Sequence, residues 1–302
     1  GSCMFAAGMT LQDWDFTKLS TVKYETNTYP VREAFHSISM ETDTADILFA
    51  VSDDGICRID CYEIEKAKHS VTVHDGRLAI HVVDAREWYD YIGITIGTPK
   101  ITVYLPETAY ASLSIKESTG DVEIPEAFQF ESIDILTSTG DVRNYASSEV
   151  IKIKTDTGDI RVENISANTL DLSVSTGKVT ARSITCKGDV NIKVSTGDAQ
   201  LTDVQCKTLL SKGSTGDISL QNVIAGEKLS IERSTGDVKL DGCDAAEIFI
   251  QTDTGDVKGS QQKEKVFLTH TDTGRVDVPQ TITGGKCEIR TDTGNIKISI
   301  AP

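Results

Sequence analysis

The sequence predicts an all-β chain built as a parallel β-helix, and three observations carry that expectation. A glycine recurs at positions 120, 140, 158, 177, 197, 216, 236, 255, 274 and 294, at gaps of 18 to 20 residues. Each follows a Thr and is flanked by short runs in which apolar and polar residues alternate, the period-two pattern of half-buried strands. The composition, with 23 Gly, 6% aromatic residues and frequent Val, Ile and Thr, suits many strands and turns. A period near 20 residues is that of a solenoid coil, which buries its apolar face only against its neighbours. Right-handed winding is expected, since parallel crossovers strongly favour that hand.

In chain order, the apolar start Gly1 to Met9 is too short to cross a bilayer, which takes roughly 20 residues. It is a candidate remnant of a membrane-anchor segment. Residues 10–37 carry Trp14, Phe16, Leu19 and Tyr24 without sustained periodicity and are expected to be a leader that caps the first coil, because an open solenoid end exposes strand edges. The β-helix is expected over 38–302. Residues 38–112 form irregular coils in this reading: Ile38 to Phe49 is a degenerate coil with Ala45 in the glycine's place, and His69 to Ile80 is a second. Residues 113–302 hold ten regular repeats.

Counting from the glycine as zero, position −7 is apolar in all ten copies and −5 in eight, the exceptions being Ser211 and Thr269. Strand parity places −3 and −1 on the same face, so the −1 Thr is expected to point inward. After the glycine the parity flips, because +2 is Val, Ile or Ala199. The Thr-Gly step therefore reads as a corner needing backbone geometry that glycine adopts freely. A third corner is expected near +9, where Ala167, Cys186, Cys206, Ala225 and Ala245 coincide. A hydroxyl ladder from the inward Thr would satisfy backbone groups there. An ice-binding row of hydroxyls would require these Thr to face outward.

The structural-turn residues are typified by Thr119, Gly120 and Asp121, by Thr139, Gly140 and Asp141, by Thr196, Gly197 and Asp198, and by Thr235, Gly236 and Asp237. The +1 Asp is expected to accept a bond from its own turn. Calcium is the competing reading, with Asp156, Asp159, Asp253 and Asp256 as the densest carboxylates. Five stacked Asp pairs about 4.8 Å apart repel by only about 0.9 kcal/mol each in water, so no cation is required. Lys178, Arg275 and Asn295 interrupt the column, and no cofactor or metal is expected. Cys186 and Cys206 occupy one phase of adjacent coils, within disulfide reach, although alanines at this phase elsewhere favour buried thiols. Cys57 and Cys61 are open between bridging and packing.

A net charge of −16 repels phosphate backbones and argues against nucleic acid as a partner. The five His share no repeat phase, Trp14 and Trp88 lie outside the regular array, and no nucleophile elbow, phosphate loop or zinc spacing occurs. Catalysis is therefore not expected.

The tandem Ser-Thr-Gly-Asp-Val and Thr-Asp-Thr-Gly-Asp-Val units, preceded by Asp15-Phe16-Thr17-Lys18-Leu19 and Tyr104-Leu105-Pro106, resemble the bacterial adhesin-like family DUF4097 over roughly Phe35 to Ile300. The resemblance implies a membrane-anchored, extracytoplasmic envelope protein that binds or scaffolds an envelope component, as a monomer or an end-to-end dimer. The alternatives are a sensory domain for envelope stress and a carbohydrate-active enzyme. Any specific site is expected within Gln12 to Pro106, where the repeat breaks down.

Overall fold

The computed structural model describes residues 22–86 and 97–301; Cys3, Trp14, Trp88, the Asp15 to Leu19 segment and the apolar start lie outside the described residues. Among the described residues all regular structure is strand, wound as a parallel β-solenoid of about nine turns.

One coil illustrates the rest. The strand Ser147–Thr157 runs into the Thr-Gly corner, and Ile160–Ala167 leaves it. Equivalent residues stack in register, Ile133 on Ile151 on Leu170 on Val190 along one side and Val142 on Ile160 on Val179 on Ala199 along the next. These columns are sealed from water, so each coil completes its neighbour's core and none could bury its apolar side alone.

The Thr-Gly corner is set by stacking as well as by dihedral preference. Gly140 has φ +144° and Gly197 φ +130°, and a Cβ on either would stand 1.9 Å from the carbonyl oxygen of the glycine one coil earlier, Gly120 or Gly177. Ala45 is tolerated because Gly120 stacks on its other face and no glycine corner precedes it: Asp46 N–H goes to Pro99 O at 2.9 Å instead.

The −1 Thr does not point inward. All ten are exposed, because the backbone begins to bend one residue before the glycine and leaves both −2 and −1 outside. The buried hydroxyls belong to position −3. Thr155, Thr252 and Thr291 donate to the carbonyls of Gly140, Gly236 and Gly255 at 3.2, 3.3 and 3.1 Å. The predicted hydroxyl ladder thus exists two residues upstream.

A corner beyond the expected ones lies at +6, where Asn164, Ser183, Asp203 and Asn222 have φ between 51° and 56° and Gly242 has 60°. Short polar residues and glycine tolerate this left-handed conformation. The expected bend past +9 is also present, as breaks of pairing between Cys206 and Thr208 and between Ala225 and Lys228.

Both ends depart from a simple coil order. His69 to Ile80 is not a coil but part of an antiparallel hairpin, Ala67–His74 with Arg77–Asp84, turned at Asp75 and Gly76 with φ 50° and 71°. These paired positive φ values define a hairpin turn whose twist suits antiparallel strands. Tyr24–Val31 and Cys57–Ile64 pair antiparallel, and the latter also pairs antiparallel with Lys100–Leu105. The region expected as irregular coils is therefore a cap of antiparallel strands on one true coil, Ser37–Thr44 with Asp46–Val51. At the other end the last two coils are exchanged in space. Gly285–Thr293 inserts between Val238–Thr254 and Lys265–Thr273, and Ile296–Ile300 likewise separates Val257–Gln261 from Val276–Asp277.

Two −3 positions carry buried charge. Arg233, 3% exposed, lies over Gly213, where a Cβ would meet its guanidinium, and donates to Val194 O at 3.2 Å. Burial holds its pKa below the usual arginine value. Glu117 accepts from Thr42 Oγ1 and from Ala45 N–H. Desolvation raises its pKa from 4.5 to about 7, outweighing these bonds and a third from the Thr119 backbone.

The folded chain therefore holds the Glu117 proton more tightly than the unfolded chain. Its contribution to stability is complete below about pH 4.5 and is lost as pH rises through about 7, at a cost of about 3 kcal/mol. Denaturant titrations of Glu117→Gln and wild type at pH 5 and pH 8 should show the variant losing less stability on the alkaline side. Equal losses would contradict this assignment.

Candidate functional site

The Asp column is a structural ladder in which one carboxylate oxygen accepts the backbone N–H of the +1 residue in the next coil. Asp46 receives Asp121 N–H at 3.1 Å, Asp121 receives Asp141 at 2.9 Å, and Asp141 receives Asp159 at 2.9 Å. Asp198, Asp217 and Asp237 receive Asp217, Asp237 and Asp256 at 2.9, 2.8 and 2.9 Å. The bond runs between coils and not within one turn as expected, because stacking at about 4.8 Å brings the next amide closer than the residue's own loop. Lys178 can donate to Asp159 (2.8 Å) but has no acceptor to pass on; its ammonium turns to Gln200 Oε1 at 3.1 Å.

Three of the four calcium candidates are engaged elsewhere. Asp156 accepts from Ser175 Oγ at 3.3 Å and lies 3.8 Å from Lys154, and Asp159 holds the Lys178 amide. Asp256 accepts from Asn295 N–H at 2.6 Å and pairs with Lys258 at 2.6 Å; these donors hold its carboxyl below the usual range. Asp253 is exposed. Thermal melting should accordingly be the same with millimolar calcium and with chelator. A transition that climbs with calcium concentration would reveal a bound ion.

Cys57, Cys61, Cys186 and Cys206 are free, buried thiols. Cys186 Sγ donates to Asn168 O at 3.4 Å, and burial pushes the Cys206 thiol up to about 12. These cysteines pack as small apolar residues do.

Where the repeat breaks down, the cap encloses a polar core. Glu63 is fully buried, and its Oε1 accepts from Asn27 Nδ2 at 2.7 Å and Tyr29 OH at 2.9 Å. Its Oε2 receives His69 N–H at 2.6 Å and lies 2.7 Å from His69 Nδ1. Cys61, Glu63 and His69 place ligand-type atoms within 4.8 Å of one another. The donor set does not suit a cation, since both Glu63 oxygens are saturated and burial pushes the Cys61 thiol up to about 12, far from the thiolate a metal needs. The cluster locks the two antiparallel cap strands to Tyr24–Val31.

Toward the Val31–Cys57 end of the ladder between Tyr24–Val31 and Cys57–Ile64, a groove of about 490 Å³ opens, lined by Val31, Arg32, Phe35, Ile56, Pro106 and Tyr110. Phe35, Tyr110 and Phe130 stack with centroids 5.9 and 5.6 Å apart. The Tyr110 hydroxyl donates to Pro106 O at 3.0 Å, and burial pushes its pKa up to about 12. Ile56 is half exposed at 51%. An apolar floor with Arg32 and Glu33 at its rim can hold a ligand by burial and stacking, while the buried Cys57 thiol, pushed up to about 12, is no nucleophile. Most of its lining falls within Gln12 to Pro106, with Tyr110 just beyond. Its residues were not singled out there, although Tyr110 and Phe130 share repeat position −10.

The family model Toastrack DUF4097 matches residues 35–193 and 185–302. No curated protein matches the chain. Among solved structures, a proposed adhesin from Bacteroides fragilis covers 92% of this chain and 97% of its own, at 17% identity and TM-score 0.44. A proposed lipid-binding protein from Parabacteroides distasonis covers 93% and 98%, at 14% identity and TM-score 0.46. A proposed cell-adhesion protein from Clostridium sporogenes covers 92% and 100%, at 11% identity and TM-score 0.26.

Proposed function

The chain belongs to the Toastrack DUF4097 family, and from that premise we propose a non-enzymatic module of the bacterial cell envelope that presents a rigid β-helical surface and binds a protein or envelope component, as an adhesin or scaffold. The observation that carries this reading is the Asp ladder. Its carboxylates, at seven of the ten +1 positions, bind backbone amides of the next coil, so they stiffen the rod and are not arranged as acids and bases around a substrate. In this reading the protein stands outside the cytoplasmic membrane, tethered upstream. Among the described residues no helix is long and apolar enough to cross a membrane.

The groove beside the cap favours a second, related reading, a sensory domain that captures a peptide or envelope component there, because Phe35 stacked on Tyr110 gives it an aromatic floor. Binding of a bacterial envelope extract to the immobilised full chain tests both. Wild type should retain a component that Phe35→Ala and Ile56→Asp release, the exposed Ile56→Asp with unchanged melting. Retention that ignores both substitutions would remove the groove from the account, and no retention at all would contradict the binding module.

A further inference from the structure

We infer that the middle of the rod carries an oxyanion site, a shallow pocket over Gly213 that takes a phosphate group between Lys193 and Lys212. The repeat itself marks the place. The sixth coil has Ser211 at −5 and Gly213 at −3, the smallest inward pair among the ten copies. Arg233 of the next coil fills the room they leave, with Nη1 donating to Val194 O at 3.2 Å and Nη2 3.5 Å from Ser211 Oγ. Its buried Nε has no partner among the described residues. No carboxylate there contacts the guanidinium; Asp198 and Asp217 act on it only at longer range, and both are engaged with backbone amides. A buried cation without a counter-charge is costly, and an anion brought near it lowers that cost.

A pocket of about 350 Å³ lies against the same glycine, lined by Gly213 and Arg233 and by side chains of the neighbouring coils. Lys193 and Lys212 stand in register on adjacent coils, the one pair of lysines stacked at position −4, with Ser195 and Ser214 two residues further on. Stacked ammonium groups repel each other, and a phosphate placed between them offers each a charge-assisted hydrogen bond while leaving oxygens for the serine hydroxyls. The pocket's acids stand on the side away from Lys193. Glu232 stacks on Lys212 and pairs with it at 2.9 Å, and Asp253 lies one coil further. Lys193 has no ion pair among the described residues and is the free cation of the site. The charge of the chain does not bar a phosphate here. Residues 164–240 carry nine Lys and Arg against eight Asp and Glu, a net +1, so the remainder of this −16 chain carries −17, and at physiological salt charges beyond about 8 Å are largely screened.

Amide NMR of the full chain, titrated with inorganic phosphate at fixed ionic strength, tests the site. The Gly213 and Ser214 amides should shift saturably with phosphate and not with chloride. Replacing the buried Arg233 would disturb the core, so the exposed lysines carry the test. Lys193→Met and Lys212→Met should each weaken binding about tenfold with unchanged melting. Lys154→Met, at the same repeat position but beside the inward Thr155, should bind phosphate as wild type does. Phosphatidylglycerol vesicles that displace inorganic phosphate, where phosphatidylcholine vesicles do not, would make a lipid headgroup the source; no displacement by either would make it a soluble phosphate. The absence of a saturable shift, an equal response to chloride, binding that survives both lysine substitutions, or an equal loss in Lys154→Met would overturn the inference.

Discussion

Replacing Gly197 by Ala is expected to destabilise the chain by about 4 kcal/mol or more, among the largest effects a single methyl group can have. The new Cβ would stand 1.9 Å from Gly177 O, at φ +130°. Relief requires separating two coils whose backbone bonds, Gly177 N–H to Thr196 O at 3.0 Å and Val179 N–H to Asp198 O at 3.0 Å, fix their spacing. Gly242 provides the control: its φ is +60°, and a Cβ added there would have nothing within 4 Å. Gly242→Asn should be near neutral, since Asn164 and Asn222 occupy the same corner in other coils. Denaturant unfolding of both variants compares a stacked corner with an open one. A loss at Gly197 no larger than that at Gly242 would mean that the stacking contact carries no cost.

Glu63→Gln should cost about 3 kcal/mol, although it changes almost no volume. The carboxylate accepts from Asn27, Tyr29 and His69. An amide replaces one acceptor oxygen by a donor, so at least one buried N–H or O–H faces another. The loss should be local: hydrogen exchange should accelerate in Tyr24–Val31 and Cys57–Ile64 before it does in the regular coils. A loss below about 1 kcal/mol, or one spread evenly along the stack, would mean that the cluster does not hold the cap.

The repeat was legible because stacking turns each position into a column, and ten copies of −7, −5 and +2 average away local exceptions. The inward Thr was misplaced for a definite reason. Strict alternation was carried through to the residue beside the corner, whereas two successive residues, such as Asp156 and Thr157, lie outside there. The +6 corner had a visible signal in Asn164, Asp203, Asn222 and Gly242. The exchange of the last coils had none, since Cys287 and Phe267 suit the same column and only the length of the connection from Val278 to Gly284 differs. In the cap, Leu78 and Ile80 fit the apolar phase of a coil, but Asp75-Gly76 forms a two-residue hairpin turn, and turn chemistry overrode periodicity. Glu63 and His69 are six residues apart on antiparallel strands, so their meeting depends on that turn and could not be read from a parallel repeat.

The claim on which the functional reading rests is that the Asp column binds the protein's own backbone. Amide hydrogen exchange resolved at single residues tests it directly. In wild type without added metal, the amides of Asp141, Asp159, Asp217, Asp237 and Asp256 should be protected like core amides despite their surface position, and Asp141→Ala should accelerate Asp159 while leaving Asp237 unchanged. Exchange of these amides at the rate of exposed loops, or protection that appears only when calcium is added, would contradict the ladder and return the column to the role of a binding site.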